Sequence, residues 1–298
     1  MYIEKRSELL FCYDITDANP NGDPLDNNKP RIDEETSINF VTDVRLKRTI
    51  RDYLYEYKGY NGENNKDIFV REIIYDDKNM YIQDGKKRAG NFENNANDIL
   101  NKCIDVRLFG GVIPLSKDSI TYTGPIQFKV GRSLHQVELQ HIKGTGAFAS
   151  KQGTKQNTFR EEYILPYSFI AFHGIINETA AKHTSLSEED VDLLLDGMWN
   201  GTKNLISRSK FGQMPRLLIK VDYKEKGYFI GDLDKYIKIK TEKLENKIRK
   251  LEDFTLDISK LLEVFEEEEE KIDKISYKVD KFLNIIGEIP STWEKLEI

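Results

Sequence analysis

Two periodicities alternate along this chain. "LLFCYDI" (Leu9 to Ile15) is a continuous apolar run, too short for a helix and rich in Leu, Phe and Tyr, so residues 8–15 predict a buried strand. "VTDVRLKRTIRDYLYEY" switches to helical spacing, with Leu46, Ile50, Tyr53, Leu54 and Tyr57 on one stripe, Thr42 as N-cap and Asp43 at the positive helix end. "IFVREIIY" (68–75) predicts a strand, and "NANDILNKCIDVRLFGG" predicts a second helix with Ile99, Cys103 and Val106 or Leu108 inward. "GPIQFKVGRSLHQVEL" predicts a strand interrupted at Gly131, and "ILPYSFIAFHGIIN" another. "LSEEDVDLLLDGMWNGTKNLI" is a helix capped by Ser187 with Glu188 and Glu189 in its first turn; "PRLLIKVDY" is a last strong strand. Beyond Leu256, Ile272, Ile275, Val279, Phe282 or Leu283, and Ile286 follow three-to-four spacing and predict a long amphipathic helix whose solvated stretch is "EEEEE". The order β-α-β … β-α-β fits an α+β, ferredoxin-like (RRM-like) antiparallel sheet with helices on one face and a helical C-terminal region. The expected division is a core over 1–230 and a charged, mainly helical region over 231–298 packed on it.

Composition narrows the function classes. The 298 residues carry a net charge of −6, which argues against a uniformly basic nucleic-acid binder. The charge is uneven: from Gly231 onward 13 Lys/Arg face 18 Asp/Glu, so residues 1–230 are nearly neutral and leave room for basic patches. Cys12 and Cys103 lie in apolar contexts and read as reduced core thiols. No signal peptide and no run of 18 apolar residues is present, so the expectation is a soluble cytoplasmic protein with no membrane partner.

Catalytic signatures are sparse. None of His135, His141, His173 and His183 is spaced as a metal pair with another His or Cys. "GTGAFA" (Gly144 to Ala149) matches a dinucleotide pattern, but "SKQGTKQNTF" after it is no helix, and that context fails. No cofactor is expected. The loop over 17–41 is richer. Residues 17–37 hold four Asn, three Pro, one Gly and six carboxylates. Asp14, Asp17, Asp23, Asp26 and Asp33 could hold Mg²⁺ for a nuclease, or serve as turn formers; backbone N–H groups around Asn21 and Gly22 could cradle phosphates. Arg45, Lys47, Arg48 and Arg51 follow on the helix, with Lys47 and Arg51 on one face. A third basic element spans 129–160, where Lys129, Arg132, Lys143, Lys151, Lys155 and Arg160 oppose only Glu138, with Phe148 and Phe159 interleaved. Charges along a backbone and rings against bases suit single-stranded nucleic acid.

These segments carry a family resemblance. "NPNGDP", "PRIDEET" and "VTDVRLKRTIRDYL", then "RLFGG", "GPIQFKVGRS", "REEYILPY" and "FHGII" in that order, strongly resemble the Cas7 backbone subunits of type I CRISPR surveillance complexes, within them the Csh2/Csd2 group of subtype I-B. The likeness runs from about 8 to 222; the tail after about 230 carries none. It implies an RRM-like fold with inserted subdomains and a thumb-like β-hairpin at about 143–160. Copies would stack along a CRISPR RNA, beside Cas5-like and large Cas8-like subunits, with target DNA read through the guide. The RNA-binding set so implied is Asn19, Asn21, Gly22, Arg45, Lys47, Arg48, Arg51, Gly131, Arg132, Ser133, Lys151, Lys155, Phe159 and Arg160. Related type III subunits cut RNA with an aspartate near the early loop; type I relatives do not, so no catalysis is expected here. The alternatives are a guide-dependent RNase, which metal-dependent cleavage would reveal, and a stand-alone single-stranded RNA-binding protein.

Overall fold

The computed structural model describes residues 2–76, 78–115, 118–149 and 157–298. The first apolar run forms strand Ser7–Ala18, which lies in the middle of a ten-stranded mixed sheet. It pairs antiparallel with Asn157–Ile176 on one side and with Gln213–Tyr223 on the other. Beyond the long strand comes Gly131–Gln136, then Ile38–Val41 and Ile32–Asp33 at the edge; Ile272–Val279 extends the opposite side. Gly131 is required where it stands, because a Cβ there would lie 2.3 Å from the Phe172 ring.

Both faces of the central strand are buried, which explains why its sequence is apolar throughout rather than alternating. Leu9, Phe11, Tyr13 and Ile15 face helices Asp43–Tyr57 and Glu188–Lys203 in one core. Leu10 and Cys12 face a second core completed by Leu233, Ile237, Ile248, Phe254, Leu256 and Leu261 from the C-terminal region. A third, small core of Phe69, Phe92, Ile99, Cys103, Val106 and Ile113 belongs to the insertion after the first helix. Both cap assignments hold: Thr42 accepts from the Arg45 N–H, and Ser187 forms a reciprocal capping box with Asp190.

Four expectations need correction. Tyr57 is exposed, so the first helix buries its stripe only as far as Leu54. The second helix is two, Ala96–Lys102 and Ile104–Phe109, broken at an extended Cys103. Of residues 68–75 only Ile74 and Tyr75 enter a strand, because the Phe69 and Val70 N–H groups donate to Asp105 instead of to a ladder. The C-terminal region is not mainly helical. Its α-helix covers only Ser259–Glu267, and Ile272–Val279 is a strand. The register with Gln213–Tyr223 shifts between Asp222 and Tyr223, leaving Asp273 as an extra residue. That bulge puts Ile272 and Ile275, three apart, on one face, after which Ile275, Tyr277 and Val279 alternate as a strand should. A β-bulge has imitated the helical period.

Candidate nucleic-acid interface

The 17–41 loop is not open. Gly22–Asp23 pairs with Lys29–Pro30, and Ile32–Asp33 with Ile38–Val41. Gly22 is fixed sterically, since a Cβ would lie 2.8 Å from the Asn28 carbonyl oxygen. The Asn21 side chain joins loop to helix: its Oδ1 accepts from both the N–H and the hydroxyl of Thr42, each at 2.9 Å. Asp23 accepts from the Leu25 N–H at 3.0 Å and from Arg31 at 2.8 Å, so its two oxygens serve a turn and an ion pair. Asn19 donates its backbone N–H to Ser209 O at 2.8 Å and its amide to Asn28 O at 2.6 Å.

The basic helix divides. Lys47 is only 9% exposed, with its ammonium 3.1 Å from both Gln127 Oε1 and Asp43 Oδ2. Arg51 donates at 2.9 Å to Asp105, which is fully buried, and stacks its guanidinium over Phe109. Both cations are committed to internal partners rather than displayed. Arg48 is half exposed and paired with Asp52 at 2.6 Å. Arg45 differs: one guanidinium nitrogen reaches Thr49 Oγ1 at 3.0 Å, while its Nε is buried without a partner. Burial holds its pKa below the ordinary guanidinium value.

The same surroundings contain groups that the sequence reading passed over. Lys210 sits in "SRSKFG", a turn between the second long helix and the last core strand, and donates its ammonium to the Asn19 carbonyl. Burial, with repulsion from Arg45 added, lowers its pKa to about 8. Arg31, opposite Asp23, also has a buried Nε without a partner. Among the described residues only six buried side-chain polar atoms lack a partner, and three of them are Asn19 Oδ1, Arg31 Nε and Arg45 Nε. Native interiors satisfy such atoms, so a cluster of unmet donors and one acceptor marks a surface built for something else. The legible signal for Lys210 was a basic pair, Arg208 and Lys210, beside the exposed Phe211.

The remaining candidates are spread out. Arg132 is exposed on its strand, whereas Ser133 is buried and latches the sheet edge, its hydroxyl donating to His135 O at 2.7 Å and accepting from the Asn39 N–H. Gly131 is likewise structural. The 140–176 segment forms a hairpin of strands Gln140–Ala149 and Asn157–Ile176. "GTGAFA" therefore lies in a strand, not before a helix. Arg160 is paired with Glu162 at 2.6 Å, and Glu162 also accepts from Arg208. His141 stacks on Tyr163 at 4.5 Å, and Lys29 lies over that ring. Lys151 and Lys155 fall outside the described residues, as does the side chain of Phe159. Among the described residues, no helix is long and apolar enough to cross a membrane.

Comparison with known proteins closes the description. Residues 5–259 match the family model described as CRISPR-associated protein Cas7, so the likeness continues past the 222 at which it had been expected to stop. The chain is 32% identical to the CRISPR-associated protein Cas7 of Haloferax volcanii, with 91% of this chain and 85% of the relative covered. Its fold is similar to a chain of a CRISPR RNA-guided surveillance complex, pre-nicking (TM-score 0.57, 10% identity, 97% and 95% covered). It is also similar to a chain of another CRISPR RNA-guided surveillance complex (TM-score 0.54, 13% identity, 96% of each covered).

Proposed function

Because this chain belongs to the Cas7 family of CRISPR-associated proteins, we propose that it is the backbone subunit of a type I surveillance complex, of subtype I-B, stacking in several copies along a guide RNA. Its scaffold is RRM-like: strand, helix, strand, strand, helix, strand, with the fourth, first, third and second strands adjacent in that order. The division at about residue 230 separates an RNA-gripping core from a region that closes the second sheet face. That closure matters for the mode of binding, because an RRM reads RNA on its open sheet face. Here the RNA is gripped at the strand ends.

The observation that carries the reading is the cluster of Asn19, Arg31, Arg45 and Lys210 around the 17–41 loop, with buried polar atoms that lack partners. Guanidinium donors suit phosphate oxygens, and the Asn19 side-chain oxygen Oδ1 suits a donor such as a ribose hydroxyl. Arg132, Arg48, Lys151 and Lys155 supply further charge, and Lys47 and Arg51 hold the helix that presents Arg45. Cas5-like and large Cas8-like subunits complete the assembly, and target DNA is met through the guide. The subunit performs no cleavage.

One domain grips a few nucleotides, comparable to the ~4–16 of a single-strand-binding fold, so a long guide needs several copies. Mass measurement on unstructured RNAs of increasing length should show bound copies rising stepwise. A constant one-to-one complex would remove the backbone reading and leave a solitary RNA binder. Specific cuts in complementary RNA with Mg²⁺, lost on Asp23→Asn, would instead establish a nuclease.

A further inference from the structure

Two of the other three buried atoms without partners lie together, far from the RNA grip in sequence and role: His173 Nδ1 and Asp234 Oδ1. His173 is 3% exposed on the long strand Asn157–Ile176, beside the central strand. Its Nε2 lies 2.6 Å from Glu8 Oε1. Glu8 is completely buried and accepts from the Tyr223 hydroxyl and from the Ile230 and Gly231 N–H groups, at 2.8 and 2.9 Å for the two amides. The imidazole therefore turns its Nε2 toward this acceptor. Nδ1 is then the ring nitrogen not engaged by the carboxylate, the arrangement by which carboxylates orient metal-binding histidines.

His173 also stands beside the turn that opens the C-terminal region. One ligand atom each from His173, Asp232 and Asp234 lies within 4.8 Å of the others. Yet neither Nδ1 nor Asp234 Oδ1 makes a hydrogen bond. Two ligands bound to one zinc ion at ~2.1 Å can stand up to ~4 Å apart, so a small closure of the turn brings all three onto one ion. The turn is shaped for it, with Gly231 and Asp232 both at positive φ. We infer that His173, Asp232 and Asp234 form a divalent-metal site, best suited to Zn²⁺ with water as fourth ligand, which ties residues 227–235 to the core sheet. Imidazole nitrogen and carboxylate oxygen are both zinc donors. The ammonium of Lys129 pairs with Asp232 and lies 3.9 Å from Asp234, so it is the cation that zinc must displace; Lys235 holds Asp232 from outside. The inference is independent of the RNA reading.

The test uses the full chain, stripped with chelator and titrated with Zn²⁺ by calorimetry, with elemental analysis after dialysis and melting temperature followed in parallel. One ion per chain and a raised melting temperature are expected. Changes outside the ligand set already cost metal sites about 10–100-fold, so Asp234→Asn should weaken binding at least about tenfold. That variant should fold, because Asp234 Oδ1 has no hydrogen bond to lose and only a long contact with Lys129. Lys129→Gln should strengthen binding by roughly tenfold through loss of the competing cation. Absence of saturable binding, binding of several ions, or binding unchanged in Asp234→Asn would overturn the site and leave Lys129 and Lys235 as its cations.

Discussion

Lys47 and Arg51 on one side, Arg45 and Lys210 on the other, are cations of similar burial with opposite circumstances. Each of the first pair reaches an acid or amide of its own chain at 2.9–3.1 Å. Of the second pair, one has a guanidinium nitrogen with nothing to bond, and the other has only a backbone carbonyl and a pKa pushed down to about 8. Residue type and helical position do not separate them; the surroundings do. Arg51 stands over the insertion, where Asp105 needs a cation, and Arg45 stands at the helix start, where Lys210 adds positive charge. A buried cation with an acid stabilises the fold, whereas one without an acid is kept at a cost that a ligand can offset.

The comparison breaks most visibly at Arg51. Arg51→Ala leaves Asp105 buried and uncompensated, and should cost about 3–5 kcal/mol in urea unfolding. A loss below ~1 kcal/mol would mean that Arg51 is free for RNA after all. Next comes the double variant Arg45→Ala/Lys210→Ala, which should fold and lose two phosphate contacts, making the slope of log K against log salt less negative by about 1.4, at ~0.7 per contact. An unchanged slope would place the grip elsewhere. The pH dependence is sharper still in meaning, though smaller in size. Free Lys210 loses its proton near pH 8, and a phosphate against it would hold that proton to higher pH. Binding then takes up a proton above pH 8 and none well below it. RNA affinity should be flat below pH 7 and fall by up to about tenfold per unit between pH 8 and 10, a fall that Lys210→Arg should remove. Smallest is Arg48→Ala, which breaks a half-exposed pair four residues apart and should cost no more than about 0.5 kcal/mol.

Local chemistry was legible in the sequence. Thr42 and Ser187 announced their helices because a cap needs only three or four neighbouring residues. Gly131 announced a break in its strand, and the break proved to be a close approach of Phe172. What stayed hidden was non-local. Lys210 meets Asn19 across more than 190 residues of chain, so no window joins them. Asp105 claims Arg51 from beyond a whole insertion. The loop over 17–41 announced its importance by length and composition, but not that it folds into two small ladders. At the C-terminus the pattern was present and ambiguous: one extra residue, Asp273, shifted a period of two into an apparent spacing of three.

The central position of Ser7–Ala18 also has a temporal side. This strand leaves the ribosome well before its partners, because Ser7 pairs with Ile176 on one flank and Asp222 on the other. At about 5–20 residues per second, roughly ten to forty seconds pass before both flanks exist. Throughout that interval a run of Leu, Phe, Cys and Tyr with unpaired backbone on both edges is a sticky template for any other nascent strand. Sheet assembly must then close loops of well over a hundred residues at once, which is slow. Such a chain depends on being shielded while it is made.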